Sequence, residues 1–480
     1  MSGSQQPTRE ASEADPQAWS VDGQTFAFLA PLGVDLPLGA FVIIDVDGAA
    51  CLGQILDREV ADGDHGVARS ARGVGRLYMP SDEVQAAGSS GFPASPLRLA
   101  SIDEVRECGV LEAGTALEVG STDVGAGSIP THIKAGGFTR HTFLCGQSGS
   151  GKTYATGVIL ERLAVETSLR MIVIDPNGDY RSLSESRDDA DPAAAARLAE
   201  IGDRIQLHAE RAELGPPKIR IADLTPAAQL ALLRLDPVAD REELATLLTL
   251  HERRSLGEDP QLLQAALNDP ENSDPLAMRI RALGIGTWRT WALGQPSILD
   301  RLDGPTDVTV LDVSAVDRAE EMYAMAAATL DRLWEQRSDR IPTLIAIDEA
   351  HHLCTAQPDG LLQAYVTDRL VQIAGEGRKY GLHLLLATQR PAKLHPNVMS
   401  QCDNLILLRM NSLADLVDVR SMFGFAPHGL IAQAVNFRKG DALIAGEISP
   451  VPQRMRFGGR VSAEGGSDIP TDWTRPRADA

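Results

Sequence analysis

Basic residues are scarce in this chain: 45 Lys and Arg stand against 66 Asp and Glu, for a formal net charge of −21. A protein that coats nucleic acid gains affinity from a basic face that releases counterions. The balance therefore excludes a simple coating role and leaves room only for a small, locally basic contact surface. Cysteine is sparse as well. Cys51, Cys108, Cys145, Cys354 and Cys402 are odd in number and never spaced as C-x-x-C, which argues against a disulfide framework and a structural zinc site. They read as small buried apolar residues. No run approaches the ~18 consecutive apolar residues of a membrane helix, and Met1–Ser20 lacks the basic and apolar regions of a signal peptide. The expectation is a soluble, cytoplasmic protein with no membrane partner. A chain of 480 residues exceeds one ordinary core, so two or three domains are expected.

Against these absences stands the run Thr142-Phe143-Leu144-Cys145-Gly146-Gln147-Ser148-Gly149-Ser150-Gly151-Lys152-Thr153. Phe143 to Cys145 read as a buried strand, and Tyr154 to Thr167 carry helical apolar spacing at Val158, Leu160, Leu163 and Ala164. The run between them is a Walker A motif. Gly146 and Gly151 let the backbone curl and aim N–H groups at phosphates, at the positive end of the following helix. Lys152 adds a charge at the β and γ phosphates, and the Thr153 hydroxyl ligates Mg²⁺. The cofactors expected are ATP and Mg²⁺, with Gly146, Gln147, Ser148, Gly149, Ser150, Gly151, Lys152, Thr153 and Tyr154 holding the nucleotide. A glycine-rich turn can match by accident, but the strand before and the helix after favour the nucleotide.

A second apolar strand, Pro342 to Ile347, ends in Asp348-Glu349 and reads as Walker B. Asp348 would hold Mg²⁺, directly or through water, and Glu349 would polarise the attacking water. A lone Asp-Glu pair is often just a solvated strand end; beside a Walker A loop that reading loses ground. His351 and His352 complete the string D-E-A-H, yet the arginine-rich element of superfamily 2 helicases is missing near the C-terminus. The histidines read as the start of a helix, and neighbouring residues there do not face one metal. A third strand, Leu382 to Thr388, leads into Gln389, which is placed to sense the γ-phosphate. In Gly377-Arg378-Lys379-Tyr380-Gly381, two cations sit in a turn. They fit a solvated helix C-terminus and equally an arginine finger reaching a neighbouring subunit.

Along the chain, residues 1–20 are polar and read as disordered. Short apolar runs over 21–120, among them Thr25–Leu29, Ala40–Ile44, Cys51–Leu56, Leu97–Leu99 and Ala116–Val119, predict a small β-barrel. From 121 the pattern alternates strands and helices, the mark of a mostly parallel sheet. It covers 121–187 with Walker A and 301–462 with Walker B and the sensor, through strands at Arg170–Asp175, Asp307–Asp312, Pro342–Asp348, Leu382–Thr388 and Asn404–Arg409. Between them, 188–300 reads as a helical insertion, with helix starts at Asp191-Pro192, Thr225-Pro226, Asp236-Pro237, Asp259-Pro260 and Asp274-Pro275 and a short strand at Lys218–Ile221. Residues 463–480 read as a tail in which Trp473 packs onto something.

In this order the pieces resemble the HerA-type ATPases of the HerA/FtsK branch of P-loop DNA motors. The likeness extends through Val173-Ile174-Asp175-Pro176-Asn177-Gly178-Asp179-Tyr180, Thr388-Gln389-Arg390-Pro391 and Gly440-Asp441-Ala442-Leu443-Ile444-Ala445-Gly446. It implies an α/β fold, a RecA-like core with a helical insertion behind a small N-terminal barrel. It also implies a homohexameric ring that hydrolyses ATP between subunits and moves double-stranded DNA, its barrel docking a nuclease or other effector in DNA repair or antiphage defence. Arg378 and Arg140 then look like nucleotide-contacting arginines. Asp175 is implied to stand near Mg²⁺ without ligating it, or else to cap the Asn177-Gly178 turn. The acidic balance keeps open an effector-regulating ring scaffold in which DNA movement is secondary, and a conjugation or secretion ATPase of the same superfamily.

Overall fold

The computed structural model describes residues 15–61, 70–78, 91–109, 116–124, 127–255, 269, 271, 273–302 and 307–465. The chain divides into two compact units, the first made of residues 1–138, 145–151 and 403–458, the second of 139–144, 152–402 and 459–480.

In the first unit, six strands close into a barrel: β1 (Gln17–Ser20), β2 (Thr25–Pro31), β3 (Phe41–Val46), β4 (Ala49–Ala61), β5 (Ser70–Tyr78) and β6 (Phe92–Leu99), in the order β1-β2-β5-β4-β3-β6, with every pairing antiparallel. Alternation drives it. On β2, Phe26, Phe28 and Ala30 point inward and join Leu36, Val42, Ile44, Ile55 and Leu97 in one core. The Phe26 and Phe28 rings lie over β5 where Gly75 and Gly73 supply no Cβ; one built on Gly75 would stand 2.2 Å from Phe26 Cζ, and one on Gly73 2.7 Å from Phe28 Cε1. Closure leaves no free edge.

Two expectations are corrected here. Gln17–Ser20 falls inside the stretch expected to be disordered, yet Ala18 is buried and β1 closes the barrel between β2 and β6. At the other end, β7 (Ala116–Val124) leaves the barrel for a separate sheet, paired with β8 (Gly127–Lys134) and β17 (Gln453–Phe457). A period of two announces a strand but not the sheet it joins. Within this unit the strand order is β15-β16-β17-β7-β8, with β15 (Cys402–Leu408) and β16 (Asp441–Gly446) antiparallel.

The second unit carries the parallel sheet. Its strands are β9 (His141–Cys145), β10 (Arg170–Asp175), β11 (Ile205–His208), β12 (Val308–Asp312), β13 (Thr343–Ile347) and β14 (Leu382–Thr388), ordered β11-β12-β10-β13-β14-β9. The pairs β11/β12, β12/β10, β10/β13 and β13/β14 are parallel. Every residue of β12, β13 and β14 is buried, as strands covered on both faces require. Register sets Asp175 opposite Asp312 and Ile174 opposite Ile347. The carboxyl ends of β10, β12 and β13 thus bring Asp175, Asp312 and Asp348 to one edge, where ligands of such sheets bind.

Within the stretch read as a helical insertion, Asp191, Thr225 and Asp274 cap helices Pro192–Glu200, Pro226–Leu233 and Pro275–Leu283. Asp236 instead holds a turn, accepting Val238 N and Ala239 N at 2.8 Å, and the helix starts at Arg241. Asp259-Pro260 and Trp473 lie outside the described residues. The stretch also contributes a strand, β11, while Lys218–Ile221 supplies only an isolated bridge from Ile219 to Trp291.

Candidate active site

The Walker A loop takes its shape from its glycines. Gly149 at φ +74° and Gly151 at φ +100° occupy left-handed backbone, and a Cβ on Gly146 would stand 2.6 Å from Ser150 Oγ and 2.7 Å from Leu408 Cβ. Its flanks are fastened within the first unit. Gln147 N donates to Arg409 O at 3.0 Å, Gln147 Oε1 accepts Asn411 N at 2.9 Å, and Gly440 N donates to Ser150 O at 2.8 Å. The Gln147 side chain is thus engaged with backbone, whereas Ser150 Oγ is buried with no hydrogen-bond partner among the described residues.

In the second unit, Lys152 opens the helix Lys152–Glu166 and is only 5% exposed. Its ammonium pairs with Asp348 and lies 3.2 Å from Glu349 Oε1. Glu349 stands in left-handed backbone at φ +44° without being glycine, a conformation that costs on the order of 1–3 kcal/mol and gathers at functional sites. Three groups converge on its carboxylate: the Gln389 amide donates to Oε1, Gln389 N donates to Oε2 at 3.3 Å, and His351 Nδ1 lies 3.3 Å from Oε2. Burial pushes this carboxyl up, but the His351 hydrogen bond, the Lys152 charge and the two Gln389 donors outweigh it and hold it down at about 2. His351 also lies 3.0 Å from Thr388 Oγ1, so it belongs to the site rather than merely starting a helix.

The oxygen donors here suit magnesium, a hard cation that favours carboxylate and hydroxyl ligands. Asp348 and the Thr153 hydroxyl are the residues that would hold it. Thr153 donates to Asp179 Oδ2 at 3.3 Å, and Tyr180 donates to Asp348 Oδ2 at 3.4 Å. Asp175 serves the turn: it accepts Asn177 N at 3.2 Å, Gly178 N at 2.9 Å and Tyr180 N at 2.8 Å. Burial outweighs those donors and pushes its carboxyl up to about 7.

The two arginines lie elsewhere. Arg378 is exposed on the turn Gly377–Tyr380 that precedes β14, whereas Gln389 follows that strand. Seven residues at about 3.3 Å each separate the two by roughly 23 Å. Arg140 immediately precedes β9, and its neighbour His141 accepts Leu384 N at 3.0 Å near the start of β14. Both arginines thus stand at the amino-terminal edge, opposite Glu349 and Gln389.

A segment with no motif fastens the Walker A helix. Glu161, 1% exposed, accepts Val461 N at 2.9 Å and Ser462 N at 2.7 Å. The wholly buried Arg460 guanidinium donates to Thr153 O, Ala463 O and Ser462 Oγ, each at 3.3 Å. Gly157 makes the space, since a Cβ there would stand 2.5 Å from Arg460 Cζ. Further on, Ala463 N donates to Glu185 O at 2.8 Å and Gly465 N to Asp179 O at 3.0 Å. Residues 459–465 therefore strap the Walker A helix to the loop after β10. Glu161→Ala strands two buried N–H donors and is expected to lower stability by about 2–4 kcal/mol in urea unfolding. A loss under about 0.5 kcal/mol, the size of an ordinary surface change, would show that the strap does not depend on this carboxylate.

Two family models match the chain: the helicase HerA central domain over residues 117–267, and the ATPase family associated with various cellular activities over residues 297–410. A DNA double-strand break repair helicase HerA from Pyrococcus furiosus is 24% identical over 384 residues, 66% of this chain and 65% of that protein. The chain thus spans just under two thirds of that relative's length. The protein of the same name from Sulfolobus acidocaldarius is 23% identical over 80% of this chain and 77% of its own. Among solved structures, VirB4 of Thermoanaerobacter pseudethanolicus aligns over 72% of this chain and 96% of its own with 16% identity and a TM-score of 0.49. Among the described residues, no helix is long and apolar enough to cross a membrane. The phosphate loop and its acidic partner strand fall within consecutive matches to these two models, which together with the HerA-named relatives support a P-loop ATPase of HerA type.

Proposed function

We propose that this protein is an ATP-driven motor on double-stranded DNA, working as a homohexameric ring with a nuclease or other effector docked on its barrel. The observation that carries the reading is the buried set Lys152, Asp348 and Glu349, with the half-buried Gln389 against it, at the carboxyl edge of a parallel sheet. Glu349, ionised and aimed by Gln389 and His351, serves as the base that takes a proton from the attacking water. Lys152, which neutralises Asp348 and Glu349 in the free protein, turns to the β and γ phosphates when nucleotide binds. Bound magnesium supplies charge neutralisation at the phosphate oxygens. Gln389 touches Glu349 directly, so loss of the γ-phosphate is felt at the end of β14. The place of Arg378 and Arg140 at the far edge supports their acting on a neighbouring subunit's nucleotide.

The relatives named as DNA repair helicases support DNA as the track. The charge of −21 favours a second reading, a nucleotide-gated ring that regulates an effector with DNA movement secondary. Steady-state ATP hydrolysis with and without long linear duplex separates them. The motor reading expects turnover to rise several-fold with DNA and the stimulation to fade as salt rises, because phosphate contacts release counterions. Turnover indifferent to DNA at low salt would overturn it in favour of the scaffold.

A further inference from the structure

We propose that Asp179 is the second carboxylate, beside Asp348, that faces the magnesium of the bound nucleotide. The inference rests on the ATP reading above and names a residue of that same site.

Around Lys152 and Thr153 stand Asp348, Glu349 and Asp179, with Asp175 behind them, and every one but Asp179 already has several partners in the free protein. Asp175 spends its oxygens on Asn177 N, Gly178 N and Tyr180 N. Glu349 is taken by Gln389, His351 and Lys152. Asp348 receives Lys152 and Glu349 N on Oδ1 and Tyr180 OH on Oδ2. Asp179 differs. Its Oδ2 meets the Thr153 hydroxyl, the side chain that Walker A chemistry directs at the metal, and its other side-chain partner is the neighbouring Asn177. Among the described residues no guanidinium or ammonium is in ion-pair contact with it.

The turn that presents Asp179 is fixed from both sides. Gly178 stands at φ +74°, where a Cβ would come within 3.1 Å of Ser314 Oγ and 3.3 Å of the Asp312 carboxylate, so the close approach favours glycine. Asp175 holds the N–H groups on either side, and Tyr180 is fully buried immediately after. From outside, Gly465 N binds Asp179 O at 3.0 Å, while Arg181 Nε donates to Gly465 O at 2.7 Å. A side chain held that firmly beside a metal-ligating hydroxyl orients that hydroxyl or the metal's water. Asp175, which the sequence left between two roles, shapes this turn while Asp179 uses it.

The test reads metal binding, not turnover. The full chain is saturated with ADP, and Mn²⁺ is titrated as the probe by electron paramagnetic resonance, with nucleotide affinity measured separately in EDTA. D179N is expected to weaken Mn²⁺ binding by about 10-fold or more while leaving metal-free ADP affinity within about 2-fold. D179E, which keeps the charge, is expected to recover Mn²⁺ binding to within about 3-fold of the parent. Parental Mn²⁺ affinity in D179N, or equal losses in D179N and D179E, would overturn the proposal, the second by assigning the effect to the shape of the turn. Failure of the parent itself to bind ADP in either condition would instead sink the ATP reading beneath it.

Discussion

Glu349→Gln is expected to bind ATP as the parent does and to lose turnover by about 10²- to 10⁴-fold, the range a positioned general base contributes. The substitution preserves volume and the contact with Gln389, but an amide accepts no proton from water. Lys152 keeps Asp348 as its partner, so the fold and the phosphate grip survive. In the free protein the Glu349 carboxyl is held at about 2 by His351, Lys152 and Gln389 against the effect of burial. A carboxylate that acidic is a poor base. If the Lys152 ammonium turns to the phosphates as proposed, one of the charges that depress Glu349 is shared away, and its basicity is expected to rise in the loaded site. Equilibrium binding of a fluorescent ATP analogue alongside phosphate release tests both halves. Parental hydrolysis by the variant would mean that another group activates the water.

The parts of this site that a sequence can show are those whose chemistry forces a local pattern. A phosphate loop needs glycines at fixed spacing ahead of a lysine, and a fully covered parallel strand needs an unbroken apolar run ending in acids, which is why β13 and Asp348-Glu349 were readable. Gln389 was readable for the same reason, as the polar residue at which a buried strand stops. A helix would separate His351 from its neighbours, whereas the backbone after Asp348 is left-handed at Glu349 and turns the ring back toward that carboxylate. Asp179 had a signal, since it ends a tight Asn-Gly turn straight after β10, but an acid in a turn is usually solvated. Arg460 and Glu161 had none. Their partners lie about 300 positions away along the chain, and only the tertiary fold joins them. The barrel's first strand and the departure of β7 were hidden for another reason: alternation defines a strand's faces, not its neighbours.

Lys152→Ala is expected to lower nucleotide affinity by about 10²-fold or more, from the loss of charged hydrogen bonds to phosphate. It should also destabilise the protein in the absence of any nucleotide. Lys152, Asp348 and Glu349 are each 5% exposed or less, so removing the ammonium leaves two buried carboxylates without their cation. Breaking a buried pair from one side costs about 3–5 kcal/mol. The effect has a definite pH dependence. A carboxyl whose folded value is depressed to about 2 stabilises the fold above the ordinary carboxylate range, and that contribution disappears as pH falls toward 2. The gap in unfolding free energy between parent and variant should therefore be widest near neutrality and narrow as pH drops from about 4 toward 2. Urea unfolding of the nucleotide-free proteins across that range is the measurement. A gap that stays constant with pH would show that Lys152 steadies the fold by packing rather than by charge, and the electrostatic account of the resting site would fall with it.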